Sequence, residues 1–499
     1  MEKKLYPFRF IPVGSKRPWG GKALVENLGK EFVECDEDGN EVKIPSDEPV
    51  GESWEIADMG FVDSVVKDGW LAGNTLSELM ETYLERVVGE DVYNYYGRQF
   101  PLLIKFLDIQ GRLSVQVHPD DEAAAERYDS LGKAEIWYVM DAKPGAKVYM
   151  GFNREVTAQE LYDRCNNGTV EEILNVIYPK PGDALFIAPG TVHAAEGGLL
   201  IAEVQESSDM TFRLYDWGRE FDPATARQMH LEEAIDLIDY GKYDERSWRK
   251  GPLWGDEASH EPCHVPLSYY AFMDGGCADG CHCHDEECGC HEGECHCHEE
   301  GCGCHEGECH CHEDGHECNC HEEGHECHCH HSEHHHAAAH IHDAAEGRVV
   351  DTLVECPQFN VTKLNLTDPL HIYTEKFGSF IIYICVDGAA SVQVPSVTEK
   401  GEPCMEDYEL SKGEVILIPA DMSDFYLVPR DLSTVLLEAV TRPVDEVDGY
   451  IDPETEAFLD DEDYEGLEDG AYEDEDEEPQ GPSGASPLGF FGAGRTPLS

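Results

Sequence analysis

The sequence lacks any long apolar segment. No run of about 18 consecutive apolar residues occurs among its 499 residues, and Met1 is not followed by the apolar core of a signal peptide. A membrane-spanning helix is therefore not expected. We expect a soluble protein located in the cytoplasm.

Positive charge is also scarce. The chain has 35 Lys and Arg against 104 Asp and Glu, which gives a formal net charge of −69. Nucleic acids and anionic membranes repel such a surface, so neither is an expected partner. The deficit is concentrated in two segments. No basic residue lies between Lys250 and Arg348, where 23 acidic residues occur, or between Arg442 and Arg495, where 19 occur.

Cysteine is sparse outside one segment. Of the 21 cysteines, 15 lie between Cys277 and Cys329, and the six others are scattered, so the count does not indicate a disulfide framework. Within this segment a Cys-x-Cys-His unit recurs every seven residues from Cys281 to His312. The heptads lack the apolar positions that drive a coiled coil. Since nothing in the segment can bury a core, we expect disorder in the absence of metal.

Thiolate and imidazole groups are ligands for Zn²⁺, Cu(I) or Ni²⁺. The repeats therefore predict additional metal ions bound within residues 277–342, without specifying the metal. The alternative is a low-complexity expansion tolerated in a surface connection.

The most informative stretch is Gly111–Asp121. Ser114, Gln116 and His118 alternate with apolar residues, so they share one face of a predicted strand that ends at Pro119. A hydroxyl, an amide and an imidazole are costly to bury without polar partners. A metal ion would satisfy this face.

Two later strands supply further ligands. Glu135 lies in an alternating segment, and His193 follows a turn, a strand and a second turn. Together with His118 and Gln116 they form a set of two imidazoles, one carboxylate and one amide oxygen, which suits Zn²⁺. Three strong ligands and one weak one leave a coordination position open, as in catalytic sites. For His118 alone, a hydrogen-bonded core histidine is the alternative.

These motifs carry a family resemblance, through six matching stretches in order along about half of the chain. The sequence resembles the type I mannose-6-phosphate isomerases, in the bacterial form built on cupin jelly rolls. The matching stretches are Trp19–Gly21, Gly51–Ile56, Pro101–Asp121, Lys133–Tyr138, Pro181–His193 and Thr211–Trp217.

The resemblance implies a zinc-dependent aldose–ketose isomerase with one catalytic ion. Its substrate would be a small sugar phosphate: mannose 6-phosphate would be converted to fructose 6-phosphate through a cis-enediol. The rival hypothesis is a cupin-derived metal-storage or metal-sensing protein that uses the Cys/His segment. We make no prediction about protein partners or oligomeric state.

The resemblance also implies individual roles. Arg213 matches the active-site arginine near C1 and C2 of the sugar, and Glu203 matches a glutamate proposed for proton transfer. Ser114, Lys133 and Arg219 are expected to bind the phosphate. Plainer roles remain open: a strand-face hydroxyl for Ser114, a salt bridge beside the metal ligand for Lys133, and a surface position for Arg219.

The predicted fold class is mainly β, with two cupin-like jelly-roll domains and a few peripheral helices. We predict a catalytic domain over 1–260, a Cys/His-rich insert over 261–347, a second, degenerate jelly roll over 348–443, and an acidic disordered tail over 444–499. In the second jelly roll Gly413 repeats the turn at Gly182. Eleven residues further on, the first copy has His193 and the second has Asp424, so the second copy has lost its ligands.

The helices predicted outside the sheets include the following two. Thr75 and Glu78 have the spacing of a capping box at the start of a helix from Leu76 to Val88. Residues 228–238 have the apolar spacing of an amphipathic helix on the outer wall of the catalytic domain.

Overall fold

A computed structural model describes residues 3–35, 41–223, 226–244, 350–374, 377–398 and 401–441. The predicted Cys/His insert lies outside the described residues, and so does the predicted tail from Val444 onward. None of the described helices is long and apolar enough to cross a membrane.

The described part of the chain is mainly β-structure, as the sequence predicts. The strands of the N-terminal half are β1 (Val13–Ser15), β2 (Val33–Cys35), β3 (Glu41–Lys43), β4 (Glu52–Ile56), β5 (Leu102–Ile109), β6 (Val115–Val117), β7 (Glu135–Ala142), β8 (Lys147–Phe152), β9 (Leu174–Ile177), β10 (Ala184–Ile187), β11 (His193–Glu196), β12 (Leu199–Glu206) and β13 (Phe212–Tyr215). Those of the C-terminal half are β14 (Val350–Glu355), β15 (Asn360–Asn365), β16 (Leu370–Tyr373), β17 (Ile381–Asp387), β18 (Ala389–Val397), β19 (Pro403–Ser411), β20 (Val415–Ile418), β21 (Asp424–Pro429) and β22 (Val435–Val440).

Each half forms two facing antiparallel sheets, the jelly-roll arrangement. In the first half the sheets have the strand orders β1-β4-β5-β12-β7-β10 and β13-β6-β11-β8-β9. In the second half they have the orders β14-β15-β22-β17-β20 and β16-β21-β18-β19. The small hairpin β2-β3 stands apart from these four sheets.

The helices are short and peripheral. They are α1 (Ala23–Glu26), α2 (Leu76–Tyr83), α3 (Glu85–Val88), α4 (Glu90–Tyr96), α5 (Asp121–Tyr128) and α6 (Ala158–Asn166). The capping box at Thr75 and Glu78 is present in the structure. The predicted helix from Leu76 to Val88 is interrupted at Leu84, which has a positive φ of 51°.

The predicted helix over 228–238 is wrong. The segment forms hydrogen-bonded turns: the N–H of Ala234 donates to His230 at 3.0 Å, and that of Leu237 donates to Ala234 at 2.9 Å. At its two ends the backbone bonds elsewhere, from His230 N–H to the carbonyl of Arg213 at 2.8 Å and from Asp239 N–H to Gly190 at 2.9 Å, so no continuous helix forms. Its apolar side chains, including Ala234 and Ile238, still pack into a core cluster. The apolar spacing therefore predicted correctly that these residues are buried, but it predicted the wrong secondary structure.

The two jelly rolls share a core. Phe8 and Leu417 exchange backbone hydrogen bonds of 2.8 and 2.9 Å, so the N-terminal segment pairs with β20. Phe100 and Phe380 bring their ring centroids within 4.8 Å of each other. One buried apolar cluster contains residues from both halves.

The second jelly roll has an apolar residue at the position where the first has the predicted ligand Glu135. Glu135 lies opposite Ile187 on β10, whereas the corresponding pair in the second half is Ile381 and Ile418. Asp424 begins β21 but is exposed, and the next residue, Phe425, is buried. The second half therefore retains the fold and presents no comparable set of ligands among its described residues.

Candidate metal centre and substrate pocket

Three strands bring the predicted metal ligands together. Gln116 on β6 lies directly opposite His193 on β11, and His118 follows β6 in the same alternation. Glu135 begins β7 in the facing sheet. The ligand atoms of His118, Glu135 and His193 all lie within 4.8 Å of one another, and all three side chains are buried.

Backbone carbonyls set the tautomer of both histidines. His118 Nδ1 lies 2.8 Å from the carbonyl of Met210, and His193 Nδ1 lies 2.9 Å from that of Thr191. A carbonyl oxygen only accepts, so each Nδ1 carries the proton and each neutral ring directs the lone pair of Nε2 the other way. These lone pairs point toward Glu135, at 3.6 Å from His118 and 3.3 Å from His193.

Charge in the cluster favours a bound cation. Burial, assisted by Lys133, lowers the pKa of His118 to about 3, and burial also lowers that of His193. Burial alone would raise the pKa of Glu135, but the neighbouring imidazoles and the ammonium of Lys133 hold it below its usual range. At neutral pH two lone pairs therefore face an ionised carboxylate. Nε2 of His118 and Oε1 of Glu135 have no hydrogen-bond partner among the described residues.

This donor set fits a divalent metal ion. Imidazole nitrogens and a carboxylate are zinc ligands, and a cation would satisfy the buried acceptors that otherwise repel one another. The amide of Gln116 places Nε2 at 3.2 Å from His193 Nε2, while its Oε1 accepts from Ser114 at 3.1 Å. A half-turn of this amide exchanges its oxygen and nitrogen, so Gln116 can present either atom to the centre.

Lys133 lies beside the metal centre. Its backbone N–H donates to the carbonyl of Pro119 at 3.0 Å, which ties it to the end of the ligand motif. Its buried ammonium is 3.8 Å from Glu135 Oε2. This contact is compatible with both of its predicted roles, since a cation here can pair with the carboxylate or face an anionic ligand.

Glu203 lies on the interior wall next to the centre. Trp137 and Lys105 are its direct neighbours on β7 and β5. The indole Nε1–H donates to Oε1 at 2.8 Å, and the ammonium of Lys105 lies 3.5 Å from Oε2. Burial raises the pKa of Glu203, Lys105 opposes this, and the negative charge of Glu135 adds to it. The result is a buried carboxylate that is a stronger base than an exposed one.

Arg213 lies in one row with two predicted ligands. On β13 it is directly opposite Gln116, which in turn faces His193 on β11. Directly opposite residues of antiparallel strands point to the same face, so the guanidinium is on the metal side of the sheet. Its Nη1 donates to the carbonyl of Gln228 at 2.7 Å, and its buried Nε has no partner among the described residues. Burial, followed by the charge of Arg227, lowers the pKa of Arg213 to about 10, so it remains charged at neutral pH.

Arg219 lies at the edge of this row. It occupies a short 3-10 helix over Arg219–Phe221, and its Nη2 donates to the buried carboxylate of Asp216 at 2.6 Å. Its side chain is 20% exposed, so it is neither a plain surface residue nor part of the core.

Sequence reasoning missed several polar residues of this pocket. Lys105 is the only cation on strand β5, whose other residues are apolar except for Asp108, and that isolation is a usable signal. Nothing in the sequence pattern indicates that the indole N–H of Trp137 takes part in a polar site. Asp216 lies in the matching stretch Thr211–Trp217 but was given no role, and Arg227 lies in a loop without a recognisable pattern.

The comparisons with known proteins agree with this architecture. Residues 8–145 match the family model described as phosphomannose isomerase type I, catalytic domain. The mannose-6-phosphate isomerase ManA of Bacillus subtilis is 38% identical over 241 residues, which are 48% of this chain and 70% of that protein. The mannose-6-phosphate isomerase of Streptococcus mutans is 38% identical over 227 residues, 46% of this chain and 66% of that protein.

Solved structures show the same fold. The crystal structure of mannose 6-phosphate isomerase from Bacillus subtilis superposes with a TM-score of 0.56 at 23% identity, covering 87% of this chain and 99% of that one. A mannose 6-phosphate isomerase bound with zinc and yttrium gives a TM-score of 0.52 at 15% identity, covering 88% of this chain and all of that one. The identity to the Bacillus protein over more than two thirds of its length, with the matched ligand motifs, shows that this chain belongs to the type I phosphomannose isomerase family.

Proposed function

We propose that this protein is a zinc-dependent aldose–ketose isomerase that interconverts mannose 6-phosphate and fructose 6-phosphate. The observation that carries the proposal is the buried convergence of His118, Glu135 and His193, with Arg213 in the same cross-strand row as Gln116 and His193. Family membership supports mannose 6-phosphate as the substrate, since the relatives are named mannose-6-phosphate isomerases.

His118, Glu135, His193 and the amide oxygen of Gln116 would hold the zinc ion. The bound ion would supply Lewis-acid polarisation of the sugar's carbonyl oxygen. One catalytic ion suffices for this donor set.

The protein's own groups would move the proton. Glu203 would remove the proton from C2 of mannose 6-phosphate and return it to C1, through a cis-enediol, while the hydroxyl proton passes from O2 to O1. Burial raises its pKa, which strengthens it as a base while the hydrogen bond from Trp137 keeps it oriented. Arg213 would face the oxygens on which negative charge develops, with its buried Nε–H as an available donor.

Phosphate binding would hold the sugar in place. We assign this role to Ser114, Lys133 and Arg219. A fixed phosphate places C1 and C2 at the catalytic groups, and such positioning makes a large contribution to the rate. Excess negative charge elsewhere does not prevent binding, because exposed charges more than about 8 Å away are largely screened at physiological ionic strength.

The test is a coupled assay for fructose 6-phosphate formation, with the full chain loaded with zinc. Turnover of mannose 6-phosphate that is lost after chelation and restored by Zn²⁺ supports the proposal. Absence of turnover in zinc-loaded, folded protein contradicts it.

The fifteen clustered cysteines favour a second candidate function, metal storage or sensing. Storage requires none of the buried cations around the predicted site, so retention of Lys133 and Arg213 favours catalysis. Metal stoichiometry with and without the insert separates the two functions, as described in the Discussion.

A further inference from the structure

A loop segment lies along the β13 edge of the pocket. Residues 226–230 run beside β13: His230 N–H donates to the carbonyl of Arg213 at 2.8 Å, and Arg213 N–H donates to His230 Nδ1 at 3.2 Å. The carbonyl of Gln228 accepts from the guanidinium of Arg213 at 2.7 Å. This pairing brings Arg227 back to the pocket.

Arg227 and Arg219 share one carboxylate. Arg227 donates to Asp216 through Nη2 at 2.5 Å and Nε at 3.1 Å, and Arg219 donates to the same carboxylate through Nη2 at 2.6 Å. The side chain of Asp216 is fully buried, whereas those of the two arginines are 20% and 19% exposed. The carboxylate therefore anchors two guanidinium groups that partly face solvent.

The cluster carries excess positive charge. Arg213, Arg219 and Arg227 surround Asp216, and these four side chains together have two positive charges more than negative ones. The single charge of Asp216 offsets only part of the repulsion between these three like charges in a partly buried site. A phosphomonoester carries a charge of about −1.5 to −2 near neutral pH, so it would be attracted to this cluster.

The cluster also lies at a suitable place relative to the metal centre. Trp217 Nε1–H donates to the carbonyl of Leu113 at 2.6 Å, and Tyr215 lies opposite Val115. Asp216 and Ser114 therefore occupy corresponding positions between these two contacts. Ser114 is two residues from Gln116, a separation of about 6.6 Å along a strand. That length is comparable with the distance from C2 to the phosphorus of an extended hexose 6-phosphate.

We propose that Arg227, held with Arg219 on Asp216, binds the phosphate of the substrate and makes the pocket selective for a phosphorylated sugar. The identity of the sugar rests on the proposed function, whereas the anion site itself does not. Arginine suits this role because its planar fork donates two parallel hydrogen bonds to phosphate oxygens.

The experiment compares Arg227→Gln and Arg227→Lys with the full-length, zinc-loaded protein. Arg127→Gln is the matched control, because Arg127 also pairs with an aspartate, Asp236, through two hydrogen bonds, but at an exposed site. Two quantities are measured: the dissociation constant of inorganic phosphate by calorimetry, and the ratio of kcat/KM for mannose 6-phosphate to that for mannose.

Arg227→Gln should weaken phosphate binding by roughly 10-fold to 100-fold, the loss expected for one charge-assisted hydrogen-bonding partner. The kcat/KM ratio should fall by a similar factor, mainly through KM for mannose 6-phosphate. Arg227→Lys should retain part of the affinity, since it keeps the charge and loses the fork. Arg127→Gln should leave both quantities unchanged.

A purely structural role for Arg227 predicts a different result. If it only fastens residues 226–230, Arg227→Gln lowers kcat/KM for both sugars equally and leaves phosphate affinity unchanged, which overturns the inference. A folded Arg227→Gln variant with wild-type phosphate affinity overturns it as well. If the parent protein binds phosphate through Arg227 but isomerises no sugar, the proposed function fails and the anion site stands.

Discussion

The indole of Trp137 and the carboxylate of Glu203 lie on neighbouring strands and are joined by a hydrogen bond of 2.8 Å. The N–H stabilises the charged form of Glu203, against the burial that disfavours it. The proposed catalysis needs this charged form, so the hydrogen bond from Trp137 should affect the pH dependence of the reaction.

Glu203→Gln should lower kcat by at least about 100-fold, since general-base catalysis contributes roughly 10²–10⁴ to a rate. The zinc content should be unchanged, because Glu203 is not a proposed ligand.

Trp137→Phe should instead move the acid limb of kcat/KM to higher pH. Removal of the hydrogen bond raises the pKa of Glu203 further, and the base is lost as pH falls through that pKa. The measurement is a pH–rate profile; an acid limb that moves to lower pH contradicts this assignment.

Replacement of His193 by Ala should abolish isomerase activity and release the zinc of the catalytic site. The variant loses one of three strong ligands, and the ion cannot be held by the other two with comparable affinity. His371→Ala is the control, since that histidine lies in the second jelly roll and pairs with Asp424. The number of zinc ions per chain is measured on protein that lacks the insert, so that ions bound by the Cys/His repeats are not counted. Normal turnover by His193→Ala would exclude the proposed centre.

Arg213→Ala should lower kcat much more than it raises KM. The proposed function assigns Arg213, which lies opposite Gln116, to the reacting carbons and not to the phosphate, so its contribution would belong to the transition state. Steady-state kinetics with mannose 6-phosphate distinguish the cases. An effect confined to KM would instead assign Arg213 to the residues that bind the phosphate.

Deletion of residues 277–342 should leave kcat similar and remove several equivalents of bound metal. The described chain ends at Asp244 and resumes at Val350, so the insert lies in the connection between the jelly rolls. Loop-closure cost grows only with the logarithm of loop length, about 0.6 kcal/mol per doubling. In a reducing compartment its thiols would stay reduced and release protons when metal binds. Loss of activity with the catalytic zinc retained would contradict this modular view.

Glu206→Gln should stabilise the folded protein at alkaline pH. Burial, and then the charge of Asp121, raises the pKa of Glu206 well above its usual value. The folded state therefore holds a proton that the unfolded state releases above about pH 4.3. Stability consequently falls as pH rises from that value through the folded-state pKa. Glutamine remains an acceptor for Ala134 N–H, the 2.7 Å bond that Glu206 now accepts, without this penalty.

The measurement is Tm as a function of pH for both proteins. Each kcal/mol of difference in the free energy of unfolding corresponds to a difference of about 2–4 °C in Tm for a domain of this size. Glu126→Gln serves as the control, because Glu126 is exposed. Parallel Tm profiles for the parent protein and Glu206→Gln would contradict the predicted penalty.

Much of the fold and the ligand set could be predicted because both depend on local patterns. Alternation over Ser114–His118 predicted a shared polar face, and the structure buries all three polar residues there. The repeated turn at Gly182 and Gly413 predicted a second jelly roll without ligands, and its interior is apolar at Ile381. The prediction of a helix over 228–238 failed because apolar spacing indicates burial, whereas the backbone there forms turns that are bonded at their two ends to Arg213 and Gly190.

By itself, the sequence determined which side chains share a strand face and which ligand chemistry they offer, because side-chain direction alternates with a period of two along any strand. Only the tertiary structure decided which faces meet. The tautomers of His118 and His193 depend on carbonyls of loops, and the approach of Arg227 to Asp216 depends on pairing with β13. Such contacts are set by strand register and loop path, which have no local signature in the sequence.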